Sequence, residues 1–181
     1  MPIVGFLYAF HTVPAHGPPD RYVEALVSIL SRSLIVHVEM MPVYGTHEKL
    51  CVRASYTACM QHHFGCYPPQ LLDERGTLLL YLPAESGPSA EAGARFLHSL
   101  LGVPYNYAGL PRTLFPERYR RAADPLHVPH TVFCSEAGLQ LAYLCGAIEL
   151  PHSFECSPAE LYSLLSTVAE PVKRCQVHVL N

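Results

Sequence analysis

A thiol enzyme needs a nucleophile, a base, and a scaffold that holds the two together. One stretch of this chain offers the first. In Phe133-Cys134-Ser135-Glu136-Ala137-Gly138 a cysteine opens a helical pattern directly after a proline-rich approach. A thiol in the first turn of a helix meets unpaired backbone N–H groups and the positive end of the helix dipole. Both favour the thiolate, which is the nucleophilic form. The same N–H groups can stabilise the oxyanion formed when a thiolate attacks a carbonyl. The competing reading is that Cys134 is a small buried residue with no chemistry, as free cysteines commonly are.

Eleven histidines are available as the base, and position distinguishes one of them. His37 lies inside the apolar run Leu34-Ile35-Val36-His37-Val38, where an imidazole is costly to bury unless it is hydrogen-bonded. A core histidine satisfied by a backbone carbonyl is the alternative. A third polar group should orient the ring. Glu39 is two residues along the same strand and so on the same face as His37, and the next strand carries Arg53, Ala54 and Ser55. A hairpin turn centred near Gly45-Thr46 would set His37 opposite about residue 54 and Glu39 opposite about residue 52. Glu39 is then the first candidate to orient the imidazole and Ser55 the second, unless Glu39 is taken by a surface ion pair with Arg53.

The elements that must position these residues follow from periodicity and turn chemistry. Strands are expected over residues 2–10, 34–43, 49–60 and 77–82, with a hairpin turn at 44–47. A proline- and glycine-bearing loop over 12–20 leads to an amphipathic helix over 22–32. Ser89 is expected to cap a helix that runs through Leu101 and stops at Gly102. Residues 103–130, rich in proline, tyrosine and arginine, read as irregular. A helix follows over 134–145 with Gly146 at its end. Ser157-Pro158-Ala159-Glu160 is a capping box that opens a last helix to Leu165, and 172–180 reads as a terminal strand. The pattern predicts a single α+β domain over residues 1–181, a small antiparallel sheet packed against helices.

These segments together resemble the circularly permuted branch of the NlpC-type papain-like superfamily, in which the histidine strand precedes the cysteine helix. Ser33-Leu34-Ile35-Val36-His37-Val38-Glu39 is similar to that family's serine-x-x-x-His-Val segment, and a strand over 50–56 follows it. Leu101-Gly102-Val103-Pro104-Tyr105-Asn106-Tyr107 resembles its Gly-x-x-Tyr-Asp/Asn-Tyr element. Cys134-Ser135-Glu136, then Gly146, then Ser157-Pro158-Ala159-Glu160-Leu161-Tyr162 resembles its Cys-Ser-Glu helix followed by a Ser-Pro-x-Asp/Glu-Leu helix. The likeness spans residues 20–166 and is greatest to members from phages and large DNA viruses, which would make this a viral protein of the host cytoplasm.

The resemblance implies a papain-like hydrolase of the cysteine peptidase or amidase type. Cys134 would attack an acyl carbon while His37 takes and returns the proton, with no cofactor and no metal. In cellular relatives the third group is often a glutamate on the strand after the histidine. This chain departs from that pattern, which returns attention to Glu39 and Ser55. Tyr105 and Tyr107, with Ser135 and Glu136, are the expected substrate contacts. The substrate is a peptide, an isopeptide or an acyl lipid, since the superfamily also holds acyltransferases and phospholipases of the lecithin:retinol acyltransferase type. A papain-like binding module without turnover is the further alternative. In the loop over 103–130, Phe115 and Tyr119 join the two tyrosines as a cleft wall, and most of Arg112, Arg118, Arg120 and Arg121 read as solvated.

Composition excludes other classes. Charged residues are 15% of the chain and the formal net charge is −3, with no basic stripe, so nucleic-acid binding has no electrostatic footing. No apolar run approaches the roughly 20 residues of a membrane span. Residues 1–10 are apolar but lack a basic region, so no export signal is expected. The seven cysteines then read as free thiols in a reducing, cytosolic compartment. Cys59-Met60-Gln61-His62-His63-Phe64-Gly65-Cys66, with Cys51 nearby, has zinc-like spacing but no second knuckle, and is expected to hold no metal.

Overall fold

The computed structural model describes residues 2–12, 28, 33–46, 49–58, 63–69, 76–113, 120–124 and 128–180. Most of the helix expected over 22–32 lies outside the described residues. So do Cys59 and His62 of the metal-like cluster, and Phe115, Arg118 and Tyr119 of the loop.

One eight-stranded sheet organises the chain. Strands β1 (Ile3–Thr12), β2 (Ile35–Thr46), β4 (Ser55–Ala58), β5 (Phe64–Tyr67), β6 (Thr77–Pro83) and β7 (Glu170–Pro171) form the path β5-β4-β2-β1-β6-β7. Every pairing along that path is antiparallel. Off it, β3 (Lys49–Val52) pairs antiparallel with β2 and parallel with β8 (Val177–Val179). Helices α1 (Gly87–Ser99), α3 (Cys134–Leu144) and α4 (Pro158–Leu165) pack on this sheet, and α2 (Gly109–Arg112) is a single turn. The α+β expectation holds at this level. Among the described residues no helix is long and apolar enough to cross a membrane.

The sheet's two faces carry different residues, as the period of two requires. Phe6, Tyr8, Phe10, Val38, Met40, Leu80 and Leu82 point toward the helices and share a core with Phe96, Cys134, Leu141 and Leu161. Leu7, Ala9, Met41, Val43, Leu79 and Tyr81 form a second cluster with Leu50 and Val52 of β3.

Helix boundaries follow their caps. Ser157 and Glu160 complete the expected capping box on α4, with Pro158 in the first turn. For α1 the cap is Ser86, whose hydroxyl accepts from the Ser89 backbone N–H, so the start lies earlier than expected. The strand expected over 49–60 is broken at Arg53 and Ala54 into β3 and β4, and β5 was not foreseen. Of the terminal strand expected over 172–180, only β8 is strand; a 3-10 turn at Arg174–Gln176 precedes it, and β7 lies just ahead of the expected range.

Candidate functional site

Cys134 is the first residue of α3, and Phe133 ahead of it is extended and offers no side-chain cap. The approach to this point is hydrogen-bonded from both sides. Val132 N–H donates to the Pro104 carbonyl at 3.0 Å, and Asn106 N–H donates to the Val132 carbonyl at 3.0 Å. The Gly102–Val103 backbone is in turn tied to Phe64 of β5. The Tyr-Asn-Tyr element therefore fixes the chain just before the nucleophile candidate. Asn106 is its hub: its side chain donates to Glu136 at 3.1 Å and accepts from Gly109 N–H at 2.8 Å.

The Cys134 thiol reaches β2. Backbone N–H groups of Val38, Ser135 and Cys134 itself all favour the thiolate, so the thiol lies beside the residue that follows His37 in the chain. The expectation that the helix start lowers the thiol pKa is nonetheless overturned. Cys134 is only 4% exposed, and burial, the largest influence, pushes it up to about 11. Desolvation of a thiolate in an apolar core outweighs the N–H groups that would stabilise it.

His37 and Glu39 alternate with Val38 and Met40, so they start from the face opposite the helices. His37 Nε2 lies 3.0 Å from Thr57 Oγ1, and the same hydroxyl donates to the Val38 carbonyl at 2.9 Å. A hydroxyl has one proton, and Thr57 gives it to that carbonyl. Nε2 is then the atom that donates to Thr57, and in a neutral ring the hydrogen sits on Nε2 rather than Nδ1. Glu39 is buried and accepts a short hydrogen bond from Ser55 Oγ. Arg53, the surface partner considered for it, lies instead over the Tyr44 ring, 5.4 Å from the centroid.

The structure thus joins Ser55 to Glu39, and Thr57 to His37. Thr57 was missed because the expected register was wrong. Thr46 pairs with Lys49 and Met40 with Tyr56, so the turn lies beyond residue 46 and each β2 residue meets a partner about four to five places later than expected. His11 was missed as well. Paired with His37 in the β1–β2 register and fully buried, its ring stacks on His37 at 5.8 Å. The signal available in the sequence was a histidine continuing the period-two pattern of β1.

The four expected substrate contacts separate. Ser135 is fully buried and donates to the Cys156 carbonyl at 2.5 Å, while the Cys156 thiol donates back to the Ser135 carbonyl at 3.5 Å. Tyr105 is buried and Tyr107 exposed, with ring centroids 4.9 Å apart. Glu136 lines a cavity of about 340 Å³ with Arg121, Gln140, Phe154 and Glu155. Burial raises the Glu136 carboxyl pKa, opposed by the Asn106 hydrogen bond and the Arg121 charge.

The described loop arginines are all ion-paired, Arg112 and Arg121 remaining partly exposed and Arg120 largely covered. Arg121 pairs with Glu136, Arg112 with Glu155 at 3.2 Å and Arg120 with Glu160 at 2.6 Å. Among the described residues no group of three His, Cys, Asp or Glu side chains could hold a metal ion.

No family model matches this chain, and a search of curated proteins returns no match either.

Proposed function

We propose that the protein is a thiol hydrolase of the papain-like, permuted NlpC type, acting on a peptide, isopeptide or acyl-lipid carbonyl through an acyl-thioenzyme intermediate. One observation carries the reading: the Cys134 thiol sits at a helix start among backbone N–H groups, one of them the neighbour of His37. His37 starts from the face of β2 opposite Cys134, so in this reading its ring would have to reach past the strand to accept the thiol proton as sulfur attacks the acyl carbon, and then return it to the leaving group. The N–H groups of Cys134 and Ser135 would receive the oxyanion. Water then cleaves the thioester. The cavity beside Glu136 and Arg121 would take a polar group of the substrate. The cysteines fit a reducing, cytoplasmic setting, as all six among the described residues are free thiols.

A second reading, a papain-like binding module without turnover, is favoured by the same thiol's burial and its pKa of about 11. Incubation with a nitrophenyl acyl ester followed by peptide mapping separates the two. The enzyme reading expects a hydroxylamine-labile acyl group on Cys134 that Cys134→Ala removes and His37→Gln slows at least about a hundredfold. Acylation confined to exposed Cys66 and Cys175 would establish the non-catalytic reading.

A further inference from the structure

At the β5 edge of the sheet, on its helix side, three side chains that can hold or pass a proton come together outside the site described above. Tyr56 of β4 and Cys66 of β5 are directly opposite in the antiparallel register, so their side chains are near neighbours on one face. The Tyr56 hydroxyl lies 3.2 Å from Nε2 of His98, in the last turn of α1, and the two rings meet edge to face with centroids 5.5 Å apart. The same hydroxyl is hydrogen-bonded to the Cys66 sulfur. Tyr56 is buried, whereas Cys66 and His98 are exposed. A phenol therefore stands between an accessible thiol and an accessible imidazole. Packing does not ask for this arrangement, since the next pair on the same face of the ladder, Ala58 and Phe64, is apolar and buried.

The chemistry follows from which of the three atoms can carry charge. Burial pushes the Tyr56 hydroxyl pKa up, and the neighbouring Cys66 adds to that, so a tyrosinate is disfavoured. Tyr56 can still pass a proton on, by accepting hydrogen from the thiol while giving its own to Nε2 of a neutral His98. The two transfers occur together, and charge appears only on the sulfur and the imidazole. We propose that Cys66 is a thiol–disulfide exchange site for small disulfides, with Tyr56 and His98 as the relay that takes its proton. The Cys66 sulfur bonds to one sulfur of the disulfide, the reagent's S–S bond breaks, and the second sulfur leaves as a thiolate that takes the proton back from His98. Cys66 is oxidised to the mixed disulfide and the departing half is reduced to a thiol, so no further oxidant is needed. Exchange between sulfurs needs no oxyanion donors, which suits a thiol set on a strand rather than at a helix start. The inference stands apart from the thiol-hydrolase reading, since it uses neither Cys134 nor His37.

The test treats the full chain with hydroxyethyl disulfide, an uncharged reagent, near neutral pH and follows Cys66 and Cys175, both exposed, by peptide mapping. Cys66 is expected to form the mixed disulfide at least about tenfold faster than Cys175, which serves as the internal reference. Tyr56→Phe keeps the ring and removes the hydroxyl, and should slow Cys66 about tenfold while leaving Cys175 unchanged. His98→Ala, at an exposed position, should do the same. Imidazole added to His98→Ala should then raise the Cys66 rate and not the Cys175 rate, a rescue that a merely structural role of His98 would not give. Equal rates at the two cysteines in the unmodified protein would overturn the proposal, and so would a fast Cys66 that neither variant slows. Should Tyr56→Phe fail to fold, His98→Ala decides alone, an unchanged Cys66 rate overturning the relay. Cys134→Ala is expected to exchange at Cys66 as the unmodified protein does, so failure of the thiol-hydrolase reading and failure of this one are distinguishable.

Discussion

The two faces of the sheet set protonation by opposite means. On the helix side Cys134, Cys145 and Cys156 lie in an apolar core, and burial pushes all three thiols up, to about 11, to about 12 and well above the ordinary value respectively. On the other side His11, His37 and Glu39 are held by Thr77, Thr57 and Ser55. Desolvation keeps the nucleophile candidate protonated, while hydrogen bonds decide which atoms of the base carry protons. The two sets lie on opposite sides of β2, and what the Cys134 thiol meets there is the Val38 backbone. The contrast predicts that the helix side governs stability at alkaline pH and the polar side governs reactivity.

The largest expected effect is alkaline destabilisation. The unfolded chain releases the Cys134 proton near 9.0 and the folded chain near 11. Above pH 9 the unfolded state therefore binds fewer protons than the native state, and stability falls as pH rises. The contribution is fully present below pH 9 and is lost between 9 and 11, about 3 kcal/mol in all from this group. Denaturant unfolding at pH 8, 9.5 and 10.5 follows it, and by pH 10.5 the decline in Cys134→Ala should be shallower by about 2 kcal/mol. An equal decline in both proteins would show that the thiol titrates as freely folded as unfolded.

Packing between the helices and this same face gives the next largest effect. Gly138 of α3 has no room for a side chain: an added Cβ would stand 2.7 Å from Leu161 Cδ2 and 3.4 Å from Tyr8 Cε1. Both neighbours are fully buried, and the Tyr8 hydroxyl donates to the Gly138 carbonyl at 3.0 Å, so neither yields readily. Gly138→Ala should destabilise by about 1–3 kcal/mol, less the gain alanine brings to a helix. Gly87→Ala, at the exposed start of α1 with nothing within 4 Å, is the control and should leave the melting temperature nearly unchanged. Equal melting temperatures in the two variants would mean that α3 and the sheet are less closely packed than described.

What the sequence revealed and concealed divides along the same lines. Features fixed within a few residues were legible: the capping box at Ser157–Glu160, the break at Gly146, whose φ of 78° suits glycine, and the cysteine at a helix start. Features that depend on which strand residues meet were not. Thr57 escaped because a turn misplaced by two residues moves each cross-strand partner by four, and the break at Arg53–Ala54 adds one more. The thiol pKa escaped because burial is set by Phe133, Ala137, Leu161 and the β2 core together, whereas the helix dipole is visible locally. The loop arginines escaped because Glu136, Glu155 and Glu160 come from other elements.

The smallest expected effect is the most informative about the polar face. Thr57 accepts from His37 Nε2 and donates to the Val38 carbonyl, so a single hydroxyl links the ring's tautomer to the strand that meets Cys134. Thr57→Val keeps the shape and removes both bonds. Losing the partner of a buried carbonyl should lower stability by about 1–2 kcal/mol. Acylation at Cys134 should fall about tenfold at neutral pH, because the hydrogen no longer has a reason to stay on Nε2 and part of the His37 population presents the wrong nitrogen. Thr57→Ser, which restores the hydroxyl, should recover most of the rate. Ser55→Ala touches Glu39 rather than His37, so it should leave the His37 tautomer as it is in the unmodified protein. One- and two-bond ¹⁵N couplings of His37 report the tautomer directly, whatever the reactivity of the thiol. If Thr57→Val and Ser55→Ala leave the same tautomer and the same rate, the hydroxyl does not orient the base.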